Sequence, residues 1–168
     1  MTVATTSTSK QRIWEALGQI PDPEIPAISL VDLGVIGEVR IGPEVVHVEL
    51  LPTFVGCPAI EVMRQRIGER LAELRLAQRV EVDVSFATPW TSERISDAGR
   101  ERLRRSGFAP PVMSAIGELD ELAILPIAEC PFCGSRNTTL ENPFGPTLCR
   151  AIYHCADCRQ PFEQFKRV

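Results

Sequence analysis

CPFCG at residues 130–134 and CADC at residues 155–158 decide the fold of the last part of the chain. Each Cys-x-x-Cys turn offers two thiolates, and four thiolates are a ligand set that tetrahedral structural zinc prefers. We therefore predict a zinc ribbon over residues 129–168, in which one metal ion supplies the stability that so small a module cannot gain by burying apolar surface. The predicted ligands are Cys130, Cys133, Cys155 and Cys158. The alternatives are a dithiol redox pair or unligated core cysteines.

Two further residues near the second turn, Cys149 and His154, could each replace a thiolate ligand. Because four thiolates already fill a closed zinc site, a buried thiol and a surface histidine are the simpler interpretation. Aromatic side chains in the same region should form a small hydrophobic cluster over the ribbon, or else a docking surface. They are Phe144, Tyr153, Phe162 and Phe165.

The chain before the ribbon carries helical and strand-like hydrophobic patterns. In chain order we predict a helix capped by Ser9 over residues 10–20, strands over 35–41 and 45–51, a helix from Pro58 to residue 74, a strand over 79–86 and a helix over 92–106. The strands on either side of Gly42 and Pro43 should pair as a hairpin. Together the elements predict a small α+β domain over residues 9–109, with one sheet covered by helices, and a linker over 110–128.

Composition limits the classes of function that the chain can have. The 168 residues carry a net charge of −4, which argues against binding to nucleic acid or to an anionic membrane surface. No apolar run approaches the ~20 residues of a membrane helix, and residues 1–10 lack the features of a signal peptide. Paired cysteines without a secretory signal favour metal binding over disulfides, so we expect a cytoplasmic protein.

Cys57 is the most informative single residue outside the ribbon. It precedes Pro58 at the predicted start of a helix, where backbone N–H groups and the helix dipole favour a thiolate. Such a thiol would suit transient metal or cluster binding, or nucleophilic chemistry. The alternative is a small residue that packs in a tight turn.

Asp22, Glu24 and Asp32 form an acidic group around the proline-rich loop at residues 21–26. If that loop folds beside Cys57, the carboxylates and the thiolate would form a mixed metal site. Asp32 could equally cap a turn, and the other two could be solvated side chains.

Four blocks of the sequence resemble known families. DPEIPAISLVDLGVI at 22–36 and PTFVGCPA at 52–59 resemble the small domain of SufT-like iron–sulfur cluster assembly factors. ATPWTSERISDAGRERLRRSGFAPP at 87–111, followed by the ribbon, is similar to the D components of bacterial phenylacetyl-CoA ring 1,2-epoxidase systems, which serve phenylacetate degradation. The resemblance runs from about residue 10 to the end of the chain.

This resemblance implies a metal–sulfur cluster assembly-type domain and a zinc ribbon in an accessory or maturation subunit that is not itself an enzyme. Such a subunit would aid the assembly of iron or an iron–sulfur cluster in another subunit of the phenylacetyl-CoA oxygenase and reductase system; a homodimer is also compatible with the sequence. The implied transient site comprises Cys57, Asp22, Glu24, Asp32 and Thr53, and Gly34 and Gly56 match the same motifs. Leu51 and Val55 depart from more hydroxyl-rich versions of this loop, which makes the predicted pocket less polar.

The alternative to maturation is a bridging subunit of the oxygenase complex with no role in metal transfer. In that case Cys57 would be dispensable, and Phe162 and Phe165 would carry the association. A stand-alone enzyme is disfavoured because the sequence has no phosphate-binding glycine loop, no HExxH and no GxSxG motif. Nucleic-acid binding, a common role of zinc ribbons, is disfavoured by the acidic balance.

Overall fold

The computed structural model of the protein describes residues 3–75, 78–111 and 127–166. Two compact units make up this part of the chain. The first ends at Trp90 but also contains Arg94–Gly99, and the second contains Thr91–Glu93 and the described residues from Arg100 onward. Most of the predicted linker lies outside the described residues, and the predicted domain boundaries stay a prediction.

The helices and strands follow the predicted order, with a longer first helix and a more complex second unit. They are α1 (Val3–Leu17), β1 (Ile36–Ile41), β2 (Val45–Leu50), α2 (Ile60–Ala72), β3 (Arg79–Val84), a 3-10 turn (Ser92–Arg94), α3 (Asp97–Arg105), β4 (Phe108–Ala109), β5 (Thr138–Asn142), β6 (Arg150–Cys155) and β7 (Pro161–Phe165). The α+β class with an appended ribbon is confirmed. No helix in the described ranges is both long and apolar enough to cross a bilayer.

Three local predictions were wrong. Ser9 lies inside α1 and does not cap it, because α1 already begins at Val3. Pro58 is not the first helical residue, since Ala59 is the N-cap of α2. The single helix predicted over 92–106 is divided into the 3-10 turn and α3.

The first unit has a three-stranded sheet in the order β1-β2-β3. β1 and β2 form the predicted antiparallel hairpin, and β2 pairs with β3 in parallel, with Leu50 opposite Val84. The alternation of β2 buries Val46, Val48 and Leu50 on one face. Helix α2 covers that sheet through a buried stripe at helical spacing, Met63, Ile67 and Leu71.

The segment that includes the 3-10 turn holds the loop before β1. The indole Nε1 of Trp90 donates to the backbone oxygen of Leu33 at 3.0 Å, and Nε of Arg94 donates to the backbone oxygen of Gly34 at 2.9 Å. Trp90 is itself buried, so its hydrogen bond is shielded from water. Each of these two hydrogen bonds joins residues that are about 60 positions apart in sequence. Together they fix the shape of the loop before β1.

The second unit has a four-stranded sheet in the order β4-β7-β6-β5. Three strands form antiparallel pairs, and the short β4 adds in parallel to β7, with Phe108 opposite Glu163. The rings of Tyr153 and Phe162 stack at 5.7 Å between centroids inside a small core that also contains two of the ribbon cysteines. This sheet therefore places metal-ligand candidates and aromatic side chains in one cluster.

Three of the four aromatic residues predicted to cluster in the ribbon are buried: Tyr153, Phe162 and Phe165. The cluster prediction was wrong for the fourth residue, Phe144, which is 63% exposed. Its ring lies 5.4 Å from the ammonium group of Lys166, which suits an aromatic face at the surface. Phe162 and Phe165 belong to the interior, so their substitution would act through folding before it acted on any partner.

Gly34 should be the least replaceable glycine of the first unit. Its φ is +74°, and an added Cβ would lie 2.4 Å from the backbone oxygen of Arg94. We expect Gly34→Ala to lower the free energy of unfolding by more than about 2 kcal/mol, because left-handed strain and a backbone clash add. Denaturant titration measures the change.

Gly68 supplies the matched control for this substitution. It lies inside α2, and an added Cβ would meet nothing within 4 Å. We expect Gly68→Ala to raise the free energy of unfolding by about 0.5–1 kcal/mol. Equal effects of the two alanines would contradict the described loop geometry.

Candidate metal centre

Four cysteines of the second unit converge on one point. The Sγ atoms of Cys130, Cys133, Cys155 and Cys158 all lie within 4.8 Å of one another. In the described part of the chain no other group of three or more His, Cys, Asp or Glu side chains converges in this way. The two pairs that the sequence separates are thus brought together as predicted.

The sulfur geometry fits a tetrahedral metal. Sγ of Cys130 lies 3.6 Å from Sγ of Cys158, and Sγ of Cys133 lies 3.6 Å from Sγ of Cys155. A zinc ion with Zn–S bonds of ~2.3 Å requires sulfur atoms about 3.8 Å apart. Each of these close pairs takes one thiol from each turn, so a metal ion would join the two turns rather than close either one on itself.

Both turns have the same backbone hydrogen bonds. In the first, the N–H of Gly134 donates to the oxygen of Cys130 at 2.9 Å, and in the second the N–H of Arg159 donates to the oxygen of Cys155 at 2.9 Å. Gly134 and Arg159 occupy equivalent positions, and both have a positive φ, 73° and 59°. The second turn therefore imposes on an arginine a conformation that the first gives to glycine.

The surroundings of the two thiols of the second turn shift their pKa values in opposite directions. A hydrogen bond from the backbone N–H of Cys158 lowers the pKa of the Cys155 thiol to about 7. Burial raises the pKa of the Cys158 thiol to about 12. Backbone donors that stabilise a thiolate also suit a metal-bound sulfur, so Cys155 has the environment of a ligand.

Cys149 and His154 lie outside the cluster of four sulfurs. Cys149 is buried, and its Sγ lies 3.1 Å from the hydroxyl of Thr147. His154 is half-buried on β6, opposite Thr139 of β5 and Pro161 of β7. Neither is positioned as a fifth member of the cluster.

Cys57 lies in the loop between β2 and α2 and is half-buried. Its backbone N–H donates to the oxygen of Phe54 at 3.2 Å, and Gly56 before it has a φ of +83°. Because α2 begins at Ile60, the thiol belongs to a turn that precedes the helix and not to the first helical turn. Thr53, at the start of the same loop, is buried.

Asp22 and Glu24 lie in the proline-rich loop, where Asp22 acts as a turn former. Oδ1 of the buried Asp22 accepts hydrogen bonds from the backbone N–H groups of Glu24 at 2.9 Å and Ile25 at 2.8 Å. This pattern is the Asx turn that aspartate favours. The carboxylate of Asp22 therefore orders its own loop.

Asp32 fastens the loop before β1 to the segment after the 3-10 turn. Its carboxylate accepts hydrogen bonds from Oγ of Ser29 at 3.0 Å and from Oγ of Ser96 at 2.7 Å. Its backbone oxygen also accepts from the N–H of Ser96 at 2.9 Å. Asp32 therefore has a structural role, through a partner 64 residues away that spacing could not reveal.

Sequence reasoning missed the exposure of apolar residues that follow the ends of β2 and β3. β2 and β3 are parallel, and the N–H of Ser85 donates to the oxygen of Leu50 at 2.9 Å, so both strands end side by side. Beyond this end lie Phe54, Val55 and Phe86, all exposed, with Val55 at 78%. Phe54 and Val55 lie in a loop that periodicity assigns to no element. Phe86 was predicted to belong to the strand over 79–86, but β3 ends at Val84 and Phe86 is exposed.

Comparison with known families accounts for both units. The family described as the PaaD zinc beta ribbon domain matches residues 121–166, and the family described as iron–sulfur cluster assembly protein matches residues 10–84. The chain is 38% identical to a protein from Escherichia coli (strain K12) that is described as the D component of 1,2-phenylacetyl-CoA epoxidase. That similarity covers 93% of this chain and 92% of the relative.

Other similarities cover a part of the chain. It is 30% identical, over 52% of its length, to 85% of the Fe-S protein maturation auxiliary factor YitW from Bacillus subtilis (strain 168). A crystal structure of a domain of unknown function, DUF59, from Bacillus anthracis superposes with a TM-score of 0.54 and 22% identity. It covers 58% of this chain and 92% of that one, and it supports the fold.

The unequal turns give a test of the ribbon geometry. We expect Arg159→Gly to raise the free energy of unfolding by about 0.5–1 kcal/mol, because it removes left-handed strain. Gly134→Ala should lower it by about 1–2 kcal/mol for the converse reason. Thermal and denaturant unfolding of the metal-loaded protein measure both changes.

Arg136→Gly is the control, since Arg136 is also exposed and has no positive φ. Arg136→Gly should slightly lower the free energy of unfolding, because glycine gives the unfolded chain more conformational entropy to lose on folding. A stabilising effect of this variant equal to that of Arg159→Gly would contradict the role of φ.

Proposed function

Because the chain belongs to the family of phenylacetyl-CoA epoxidase D components, we propose that it helps to assemble an iron or iron–sulfur centre in a partner subunit of that oxygenase system. Iron or an iron–sulfur cluster is its cargo, and the protein turns over no substrate of its own. One observation carries the proposal: Cys57 lies in an open loop of the unit that matches iron–sulfur cluster assembly proteins.

A single thiol in an open loop suits a temporary ligand. Thiolates bind iron and iron–sulfur clusters, and a carrier must give up its bonds to the recipient. Cys57 is half-buried between the exposed Gly56 and Pro58, so a recipient protein can approach it. The four ribbon thiols form the opposite arrangement, in which a metal has no position open for exchange.

The proposed cargo site also includes oxygen-bearing side chains of the same unit, although in the described part of the chain no three of its carboxylates and Cys57 converge as the ribbon thiols do. The oxygen-bearing side chains are Asp22, Glu24, Asp32 and Thr53. Asp22 and Asp32 also order the loops of this unit through their hydrogen bonds, so their contribution to the cargo site is in part positional. Glu24 is half-buried beside Asp22 in the same turn.

Zinc is the metal that we assign to the ribbon. The sulfur distances and the match to a zinc ribbon family support Cys130, Cys133, Cys155 and Cys158 as its ligands. The metal would cross-link the two turns and stabilise the second unit, without a part in any reaction. We place the protein in the cytoplasm with the other subunits of the oxygenase and reductase system, and we assign it neither nucleic acid nor a membrane as a partner.

The metal content of protein purified without oxygen tests both assignments. We expect one zinc per chain in the wild type and in Cys57→Ser, because Cys57 lies outside the ribbon cluster. We expect iron in the wild type and its loss in Cys57→Ser. Val62→Ser is the control, since it adds a hydroxyl to an exposed position on α2 of the same unit, outside the loop, and leaves the thiol in place.

Maturation itself is measured in the partner. Co-expression with the other subunits should give a partner whose iron content falls with Cys57→Ser and not with Val62→Ser. A fully loaded partner in both cases would rule out metal transfer. A wild-type protein without zinc would rule out the ribbon assignment.

The exposed apolar residues that follow the ends of β2 and β3 favour a second candidate, a bridging subunit without metal transfer. Phe54, Val55 and Phe86 offer a contact surface to a partner in either case. We expect Val55→Asp and Phe86→Asp to weaken co-purification of the other subunits at least about tenfold, because each buries a charge in the contact. Bridging predicts that Cys57→Ser leaves the partner's metal content unchanged.

A further inference from the structure

The two metal-binding turns of the ribbon are joined by a carboxylate that lies next to the sulfur cluster. Asp157 occupies the position between Cys155 and Cys158 that precedes the last thiol. Its Oδ2 accepts a hydrogen bond from Oγ of Ser135 at 2.5 Å, and its Oδ1 accepts one from Nδ2 of Asn137 at 2.8 Å. Both donors directly follow the first turn, so the contacts cross from one turn to the other.

Backbone contacts make this connection specific. The N–H of Ala156 donates to the oxygen of Asn137 at 2.9 Å, and the N–H of Asn137 donates to Oγ of Ser135 at 3.0 Å. The hydroxyl of Ser135 thus receives a bond from the backbone while it donates to Asp157, which fixes its direction. We call these residues, Ser135, Asn137, Ala156 and Asp157, the interturn clamp.

The clamp acts where the sheet no longer connects the two turns. The pairing of β5 with β6 begins at Thr138 and Cys155, and both turns extend beyond that end of the ladder. The side chains of Asn137 and Asp157 are exposed, so apolar burial does not hold them. Hydrogen bonds to an ionised carboxylate are stronger than neutral ones, which suits them to this task.

Asp157 does not belong to the ligand cluster. Only the four sulfur atoms form a converging group among the described residues, and both carboxylate oxygens of Asp157 are engaged by the clamp. A carboxylate that bound the metal would have to release Ser135 or Asn137. Asp157 is therefore an outer partner, which orients the turns that carry the ligands.

We propose that Asp157 is a positioning residue for the ribbon metal: it joins the two cysteine turns and slows the release of zinc without touching it. Release of a metal from four thiolates requires the turns to separate, because each turn supplies only two ligands. A clamp that resists this separation keeps a dissociated sulfur close to the metal, and rebinding follows. The inference concerns the ribbon alone and stands whether or not Cys57 handles iron.

Zinc transfer from the full-length protein to an excess of chromogenic chelator tests the inference. We expect Asp157→Asn to release zinc about tenfold faster, because loss of an outer partner lowers metal retention by this order. The charge control is Glu141→Gln, an exposed carboxylate on β5 outside the clamp, which should release zinc at the wild-type rate. Equal acceleration by both variants would overturn the proposal.

Cobalt substitution separates positioning from ligation. The cobalt-loaded Asp157→Asn protein should keep the absorption spectrum of a tetrahedral four-thiolate site, since no ligand has changed. A changed ligand spectrum would show that Asp157 binds the metal and would overturn the positioning role.

Two further variants extend the test, and the first of them keeps it decisive if Asp157→Asn does not fold. Asn137→Ala removes one of the two side-chain bonds and should accelerate release by a smaller factor. Ser135→Ala combined with Asp157→Asn should release zinc no faster than Asp157→Asn alone, because both changes break the same contact. The clamp would be contradicted if the effects of Ser135→Ala and Asp157→Asn on the rate of zinc release multiplied in the double variant. It would also be contradicted if Asn137→Ala released zinc at the wild-type rate.

Discussion

The second unit depends on the requirement that four sulfur atoms lie within 4.8 Å of one another. Its buried cluster is small, and two of the cysteines, Cys130 and Cys155, are members of that cluster. Packing and ligation are therefore not separate tasks here: the stack of Tyr153 on Phe162 and the placement of these sulfurs stabilise the same few residues. The paired turns, the strand ladder and the interturn clamp all serve this one geometric condition.

The first unit positions its cysteine, Cys57, in a different way from the ribbon cysteines. Cys57 is placed by a loop whose own shape comes from a glycine with positive φ and a backbone hydrogen bond. Nothing in that arrangement requires a metal for folding, since a buried stripe on α2 and the inward face of β2 supply the core. A fold that is stable without a cargo is what the proposed carrier role needs. A fold that is completed by its metal is what a structural module needs.

Sequence patterns predicted what depends on short-range spacing. The convergence of the four ribbon thiols follows from two turns that each place two of them, and β3 follows from strict alternation of valine with charged residues. The role of Asp32 could not be predicted, because its partner Ser96 is 64 residues away and only the folded chain brings them together. The exposure of Phe144 was missed since aromatic composition alone does not tell a core ring from one beside Lys166.

The parallel pairing of β4 with β7 bears on how such modules are exchanged between proteins. Phe108 and Ala109 precede the first metal-binding turn by some twenty residues, yet they form an edge of the ribbon sheet. A genetic recombination that moved only the cysteine-bearing segment would leave β7 as an open edge, and open edges pair with other chains and aggregate. The ribbon module therefore consists of two separate stretches of sequence. A transfer between proteins must carry both the cysteine motif and the short strand β4 that covers the edge of β7.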